Sequence, residues 1–557
     1  MSPRPLATET AVAAVASTLL AVAMTWPTAR HPIRTIPQDT YDPSLQAWQV
    51  AWGGHALRHH PLGIWTTNAV FPEHLSLAFS DSLLGYAPFG LLGSGPSAAI
   101  FRYNALFVLS FAVAALGLYA LVRQLGADRA AAVVTAVAFA YAPWRFAHAG
   151  HLNILSTGGI PLALAMLARG HDWSFRSDHS PETVRPAWAF AGWLTAAGQV
   201  SLGFGLGTPF VYVLAGLAVV TALGWFRRHR RGPAPAHLLR ADLAGGALFL
   251  LITAALAVPY LRVLAEHPDA RRTVDWLDLM SPSVQGFFLA GEHSWLWGSA
   301  QQGARSQLAV GGEMELLPGF TVLALAGLGL FRSAWTVRAR LFLVLGVVIS
   351  AWMALGTRTP GNGRYGYLLL YRFLPGFDGS RTPGRLVLWT ILLLCLLAAG
   401  ALTRSSPGRP IARRFPSRRS LALTLALLGV LAEGVNRTPH PPVPTAPVSL
   451  AALPSPTLVL PTDELADLHV MLWSTADFPT VLNGSSGYNP PNRQAFRDAM
   501  GTFPDRRSVR LLRSLGVRTV VVLPEAAGTA YEWALGQTGR RFGLERSDHH
   551  GAAVFTL

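Results

Sequence analysis

The sequence predicts an α-helical polytopic membrane protein, with about eleven transmembrane helices and a small C-terminal α/β domain. Three observations carry that class. Of 557 residues, 51% are hydrophobic and only 13% charged, where a soluble chain carries about 25% charged residues. The mean hydropathy is +0.34, and long apolar runs recur along most of the chain. Arginine returns in every second loop between those runs, as membrane orientation requires.

The first apolar run is 11–26, preceded by Arg4. A cleaved signal peptide would look similar. Many spans follow, however, and no clear small-x-small cleavage site precedes Arg30, so the run is read as an uncleaved first span. Further runs lie near 97–121, 130–146, 152–168, 187–203, 206–226, 243–262, 314–331, 341–356, 385–403 and 420–436. The pair around 187–226 is split by "QVSLGFGLGTP". Its glycines and Pro209 suit either a tight external turn or a broken helix. Residues 1–437 thus form the membrane domain, with a large first outer loop at 28–95.

The formal charge of +16 does not mark a nucleic-acid binder, because the positive charges are not gathered on one domain. No lysine occurs, so the cations are arginines. The loops 123–129, 169–186, 227–240, 332–340 and 404–419 hold Arg123, Arg129, Arg169, Arg227, Arg228, Arg230, Arg231, Arg332, Arg338, Arg340, Arg404, Arg413, Arg414, Arg418 and Arg419. Eleven spans put these loops and the N-terminus on one side, the cytoplasm. The other side receives 28–95, a short turn near 147–151, the loops 263–312 and 357–384, and everything after about 437. Most carboxylates of the membrane region fall there.

Residues 438–457, "TPHPPVPTAPVSLAALPSPT", form a proline-rich linker, extended and semi-rigid. Residues 458–557 turn soluble in composition. "TLVLP" and "RTVVVLP" read as strands, and "SVRLLRSLG" as an amphipathic helix ending at Gly516. The single cysteine, Cys395, sits in an apolar run and excludes an internal disulfide.

Chemistry concentrates in the outer loops. "DTYDPSLQAWQVAW" sets Asp39 and Asp42 before a helix with Pro43 in its first turn and Leu45, Trp48, Trp52 and Leu57 at near-helical spacing. One reading is an interfacial amphipathic helix holding the acids at the membrane surface, as a general base or a ligand for a divalent cation near phosphate. The other is a solvated loop with an aromatic belt. His148 and His151, three apart beside Arg145, share a face if helical, as a metal or phosphate site or as interfacial histidines. Glu313 and Glu315, and the Glu292–His293 pair, either line a pocket or are solvated. Arg381 and Arg385 in "GSRTPGR" offer forked donors to a phosphate or snorkel to headgroups. No Walker lysine, G-x-G-x-x-G after a strand, G-x-S-x-G or H-E-x-x-H is present, which argues against direct use of nucleotide energy.

The order "D-x-x-D-P-x-L-x-A-W-x-x-A-W-x-x-H-A-L" followed by "NAVFPEHLSLAFSDSLLGYAPF" resembles the first outer loop of bacterial GT-C superfamily glycosyltransferases. "FAYAPWRFAHAGHLNIL", "LPGFDGSRTPGRLVLW" and "LNGSSGYNPPN…FPDRRSVRLLRSLGVRTVVV" are similar to later blocks, so the resemblance spans nearly the whole chain. It implies an inverting enzyme that moves a hexosyl or pentosyl group from a polyprenyl-phosphate sugar to a cell-envelope glycan, lipid or protein. The transfer would take place on the outer face of the cytoplasmic membrane. The family's functional acids match Asp42 and Asp39. Asp81 in "FSDSLLG" matches a second acidic position, and His151 fits the pattern better than His148. Asp81, His151, Arg381, Arg385 and Glu313 are the substrate-binding candidates. Metal dependence stays open, a divalent ion being one option. The competing class is a transporter or flippase for a lipid-linked glycan. It should place polar groups within its spans, where Glu433 is the main exception to an apolar composition.

Overall fold

All eleven apolar runs fold into helix in the computed structural model, which describes residues 3–176, 179, 183–228, 235–404 and 418–557. Among the described residues, seven helices are long and apolar enough to cross a membrane: Gly95–Gln124, Arg129–Ala147, Leu152–Gly170, Phe204–Gly224, Ala236–Glu266, Val337–Ala354 and Pro383–Leu402. The remaining runs give the shorter helices Thr8–Met24, Pro186–Val200, Phe320–Phe331 and Arg418–Gly434. The chain is a multi-pass membrane protein. Arg230, Arg231, Arg413 and Arg414, used above for orientation, lie outside the described residues.

By packing, the chain divides into two units. The first comprises residues 1–26, 107–255 and 271–438. Its centre is Pro383–Leu402, 78% buried, against which Phe320–Phe331, Val337–Ala354 and Arg129–Ala140 pack. Val337–Ala354 itself is only 11% buried and Phe204–Gly224 only 22%, so the apolar faces of these outer helices are surfaces for lipid. Glu433, the intramembrane carboxylate, serves as a helix cap. Its Oε1 accepts from the Thr321 backbone N–H at 2.9 Å and from Thr321 Oγ1 at 2.8 Å. That satisfies a first-turn donor of Phe320–Phe331 which has no partner within its own helix.

The second unit comprises residues 27–106, 256–270 and 439–557. Its four-stranded sheet contains β1 (Thr457–Leu460), β2 (Thr519–Val522), β3 (Glu545–His549) and β4 (Ala552–Thr556), in the order β1-β2-β4-β3. β1 and β2 run parallel; β4 is antiparallel to both β2 and β3. The crossover from β1 to β2 holds Glu464–Trp473, Asn492–Met500 and Arg506–Ser514. The last begins with an Asp505–Ser508 capping box, and Gly516 behind it takes φ +72, the left-handed turn that glycine adopts freely. Asn483, a formal glycosylation sequon in the sequence, is fully buried. Its amide bonds the Val459 backbone and the Asp467 carboxylate, which also holds Arg497 at 2.9 Å.

Two expectations are corrected here. Trp48 and Trp52 do not form a headgroup belt. They are 2% and 6% exposed, in a core with Leu77, Val459, Leu468 and Met471. Their indole N–H groups donate to Asn68 Oδ1 and the Ile64 carbonyl. The helix Asp42–His59 is covered by protein rather than membrane: every residue from Pro43 to Gly54 is buried, so this stretch keeps no polar face for solvent. It also lies so close to Leu84–Leu91 that a Cβ on Gly54 would meet the Gly90 carbonyl carbon at 2.0 Å. Nor is the proline-rich segment a spacer. Ile36 N–H donates to the Pro441 carbonyl (3.2 Å), Gln38 N–H to Pro439 (2.8 Å) and Val443 N–H to Arg34 (2.9 Å). Proline lacks a donor but keeps its acceptor, so this run pairs with the segment leading into the acids.

Candidate functional site

In the second unit, the acid-bearing segment is held from several sides. Asp39 Oδ1 accepts from the Tyr41 backbone N–H at 2.8 Å, an Asx turn that spends one carboxylate oxygen on local structure. The Tyr41 hydroxyl donates to Glu464. Burial, and then that bond, push the Tyr41 phenol well above its ordinary range. His469 Nε2 lies 3.0 Å from Thr40 Oγ1. Both Glu464 and His469 belong to the helix Glu464–Trp473.

Asp42 is the first residue of the helix, and Tyr41 occupies the N-cap without a side-chain cap bond. The Asp42 side chain therefore starts from the first turn of its helix, at the positive end of the helix dipole. Asp81 is elsewhere in the unit. Its carbonyl accepts from Gln49 Nε2 at 3.0 Å, two turns along from Asp42, roughly 10 Å of helix axis. Tyr260 donates to the neighbouring Ser80 carbonyl at 3.1 Å.

In the first unit, His148 ends the short helix Pro143–Ala147, and His151 precedes Leu152–Leu155. They share a turn rather than a helical face, with ring centroids 5.5 Å apart. Trp144 contacts His148 edge-on at 5.0 Å. Burial pushes the His148 imidazole down to about 3, the Glu313 charge opposing it, so His148 is neutral near neutral pH. Glu313 and Arg385 form a two-point pair, Arg385 Nε donating to Oε2 at 3.1 Å and Nη2 to Oε1. Burial alone would raise the Glu313 carboxyl. The Arg385 charge outweighs it and holds Glu313 well below the usual carboxylate range. His148 also lowers it when protonated, but a neutral His148 leaves Arg385 as the compensating cation.

Arg385 also lines a narrow groove with Thr208, Tyr367, Ser380, Thr382 and Trp389. Arg381 lies apart from this pair, its guanidinium 5.3 Å from the Trp276 ring centroid and its charge felt by Arg272. Glu315 is buried with Arg305 at 3.9 Å, and burial pushes it up to about 7. The exposed Glu292 pairs with its neighbour His293 at 3.3 Å. Among the described residues, no three His, Cys, Asp or Glu side chains gather as a metal-holding group.

The structure thus joins His151, His148, Glu313 and Arg385 in one unit, and Asp39 and Asp42 in the other. Arg381 and Asp81 stand outside these groups. Sequence reasoning missed Tyr103, which is fully buried; Asp39 and Asp42 are the charged groups acting on its hydroxyl. The signal was present in "FRYN", a polar triplet where an apolar helix begins. Glu464 and His469 were not legible, since their partners lie some four hundred residues earlier.

No protein-family model matches the chain, and no curated protein matches it. Among solved structures it is similar to the arabinofuranosyltransferase AftD from mycobacteria, at 17% identity and a TM-score of 0.50, over 100% of this chain and 40% of that one. The archaeal oligosaccharyltransferase AglB from Archaeoglobus fulgidus matches at 14% identity and a TM-score of 0.42, over 93% of this chain and 69% of that one. ArnT from Cupriavidus metallidurans matches at 14% and 0.35, over 99% and 98%. This chain spans 40% of the length of AftD. The likeness to AftD shows that this chain shares its fold.

Proposed function

We propose that this chain is a membrane glycosyltransferase that moves a sugar from a polyprenyl-phosphate donor to a cell-envelope acceptor on the outer face of the cytoplasmic membrane. The observation that carries the reading is the likeness to AftD, an arabinofuranosyltransferase by name, over the full length of this chain. The chemistry of the residues supports it. Inverting transfer needs a base for the acceptor hydroxyl, and Asp42 is the better candidate. Its carboxylate tops a helix, whereas Asp39 commits an oxygen to Tyr41.

The departing phosphate needs cationic or donor groups. Arg385 already neutralises Glu313, so it and Glu313 together present a fixed dipolar fork. Arg381 keeps its charge free of any carboxylate partner among the described residues and is the stronger phosphate candidate, with His151 as a further donor. Glu433, as a helix cap, does not serve as the mid-membrane polar site that transport calls for.

The reading puts the N-terminus and the arginine-rich loops in the cytoplasm, and the acids and the sheet-bearing tail outside. In a Cys395→Ser background, Arg541→Cys should react with an impermeant maleimide applied from outside, and Arg338→Cys should not. Activity is tested by giving purified protein a panel of radiolabelled polyprenyl-phosphate pentoses and hexoses with envelope extract. Label should pass into a glycosidic product. A lipid flippase would move label across vesicle membranes and form no such bond.

A further inference from the structure

Four apolar helices of the first unit bring arginine-bearing ends to one open pocket of about 350 Å³. Among the described residues it is lined by Arg123, Asp128, Arg129, Ala130, Arg404 and Arg419. Arg123 lies in the last turn of Gly95–Gln124, and Arg129 opens Arg129–Ala140. Arg404 follows Pro383–Leu402, and Arg419 lies in the first turn of Arg418–Gly434. The pocket therefore sits where membrane helices end, at the level of the lipid headgroups. It is on the side that the alternation of arginine loops assigns to the cytoplasm.

Two carboxylates organise these cations without neutralising them. Glu9 Oε1 accepts from Arg123 Nε at 2.7 Å, and Glu9 Oε2 pairs with Arg129 Nη2 at 2.7 Å. Asp128 Oδ1 caps its helix, accepting from the Ala131 N–H at 3.1 Å. Its Oδ2 accepts from Arg419 and from the Arg404 backbone N–H, the latter at 3.2 Å. The Arg404 carbonyl accepts in turn from Arg176 Nη1 at 3.3 Å. So the Arg404 backbone is tied at both ends, while its side chain is exposed and has no carboxylate partner among the described residues. Four guanidiniums against two carboxylates leave a surplus of two positive charges around the pocket.

We propose that this pocket binds the phosphate of an anionic phospholipid headgroup, which ties the ends of these four helices together. Guanidinium forks match phosphate oxygens two at a time, and the surplus charge selects an anion over a zwitterion. A lipid is the source that the position favours, because its phosphate already lies at this level while its acyl chains run beside the apolar helices. The inference stands apart from sugar transfer, since none of these arginines belongs to the candidate site.

The test is Arg404→Gln, which keeps every carboxylate pair named above. Native mass spectrometry of the full chain in detergent, with phosphatidylglycerol or phosphatidylcholine added, should show the wild type retaining phosphatidylglycerol preferentially. Arg404→Gln should bind it about fivefold more weakly, the share of one arginine at a membrane surface. The thermal midpoint of the variant in lipid-free detergent should match the wild type. Arg338→Gln, at an exposed arginine outside the pocket, should bind lipid as the wild type does. Equal retention of the two lipids by the wild type overturns the proposal, as does undiminished binding by Arg404→Gln. An equal loss in Arg338→Gln refutes it too, by reducing the effect to overall charge. A lipid-free midpoint that falls in Arg404→Gln would show the guanidinium serving the fold instead. Phosphatidylglycerol should also raise the wild-type midpoint; the same rise from inorganic phosphate at equal concentration would contradict a lipid as the occupant.

Discussion

Glu313 and Tyr103 are both buried polar groups at candidate sites, and they are finished in opposite ways. Glu313 meets a two-point guanidinium from Arg385 and is held ionised by it. The Tyr103 hydroxyl has no hydrogen-bond partner among the described residues. A compensated buried pair fixes local structure and tolerates little change. A buried hydroxyl without a partner costs stability. Removing a group from the first region should therefore damage folding, and removing the Tyr103 hydroxyl should not.

The largest effect expected is Arg385→Leu. It leaves Glu313 buried without its cation, which costs about 3–5 kcal/mol. Chemical unfolding in detergent should show this, and Glu313→Leu added to it should restore most of the loss. If the single variant unfolds like the wild type, the pair is not structural and the contrast with Tyr103 collapses. Trp48→Ala should cost a similar amount, about 3–5 kcal/mol, because it empties a core position. Leu57→Ala, at an exposed position of the same helix, should stay within about 0.5 kcal/mol. Near-equal small effects would return Trp48 to a lipid interface.

A smaller effect separates His148 from Glu315 by pH. The folded pKa of His148, about 3, lies below its free value of 6.5, so the fold refuses a proton that the unfolded chain accepts. Its contribution is complete above about 6.5 and is lost as pH falls towards 3. Glu315 runs the other way. Its folded value, about 7, lies above the free 4.5, so its contribution is complete below 4.5 and is lost as pH rises through 7. His148→Gln should flatten the acid limb of the thermal midpoint against pH, and Glu315→Gln the limb between 4.5 and 7. An unchanged acid limb in the first variant would show that His148 is solvated. The smallest effect is Glu464→Gln, an exposed partner of Tyr41, at no more than about 1 kcal/mol.

The membrane class, the helices and the tail strands were legible because each is encoded locally. Apolar runs of span length, "TLVLP", "RTVVVLP" and the Gly516 stop need no distant partner to be read. What failed was burial. Trp48 and Trp52 at helical spacing look alike whether lipid or protein covers them, and only the core containing Val459, Leu468 and Met471 decides between the two. The proline run looked like a spacer because proline cannot donate; that its carbonyls receive Ile36 and Gln38 is a long-range fact. At the candidate site, the acids stood out by charge. The commitment of Asp39 to Tyr41, and the isolation of Tyr103, belong to geometry alone.

The central claim is that Asp42 does chemistry on a sugar. Asp42→Asn keeps the shape and removes the base, so the decisive measurement is the initial rate of label transfer from a polyprenyl-phosphate sugar by wild type and Asp42→Asn at equal thermal midpoint. The account predicts a loss of about a hundredfold to ten-thousandfold, with Asp39→Asn losing less because an asparagine oxygen can keep the Tyr41 turn. Full activity in both variants would contradict it and leave these acids as ordinary residues of a well-held loop.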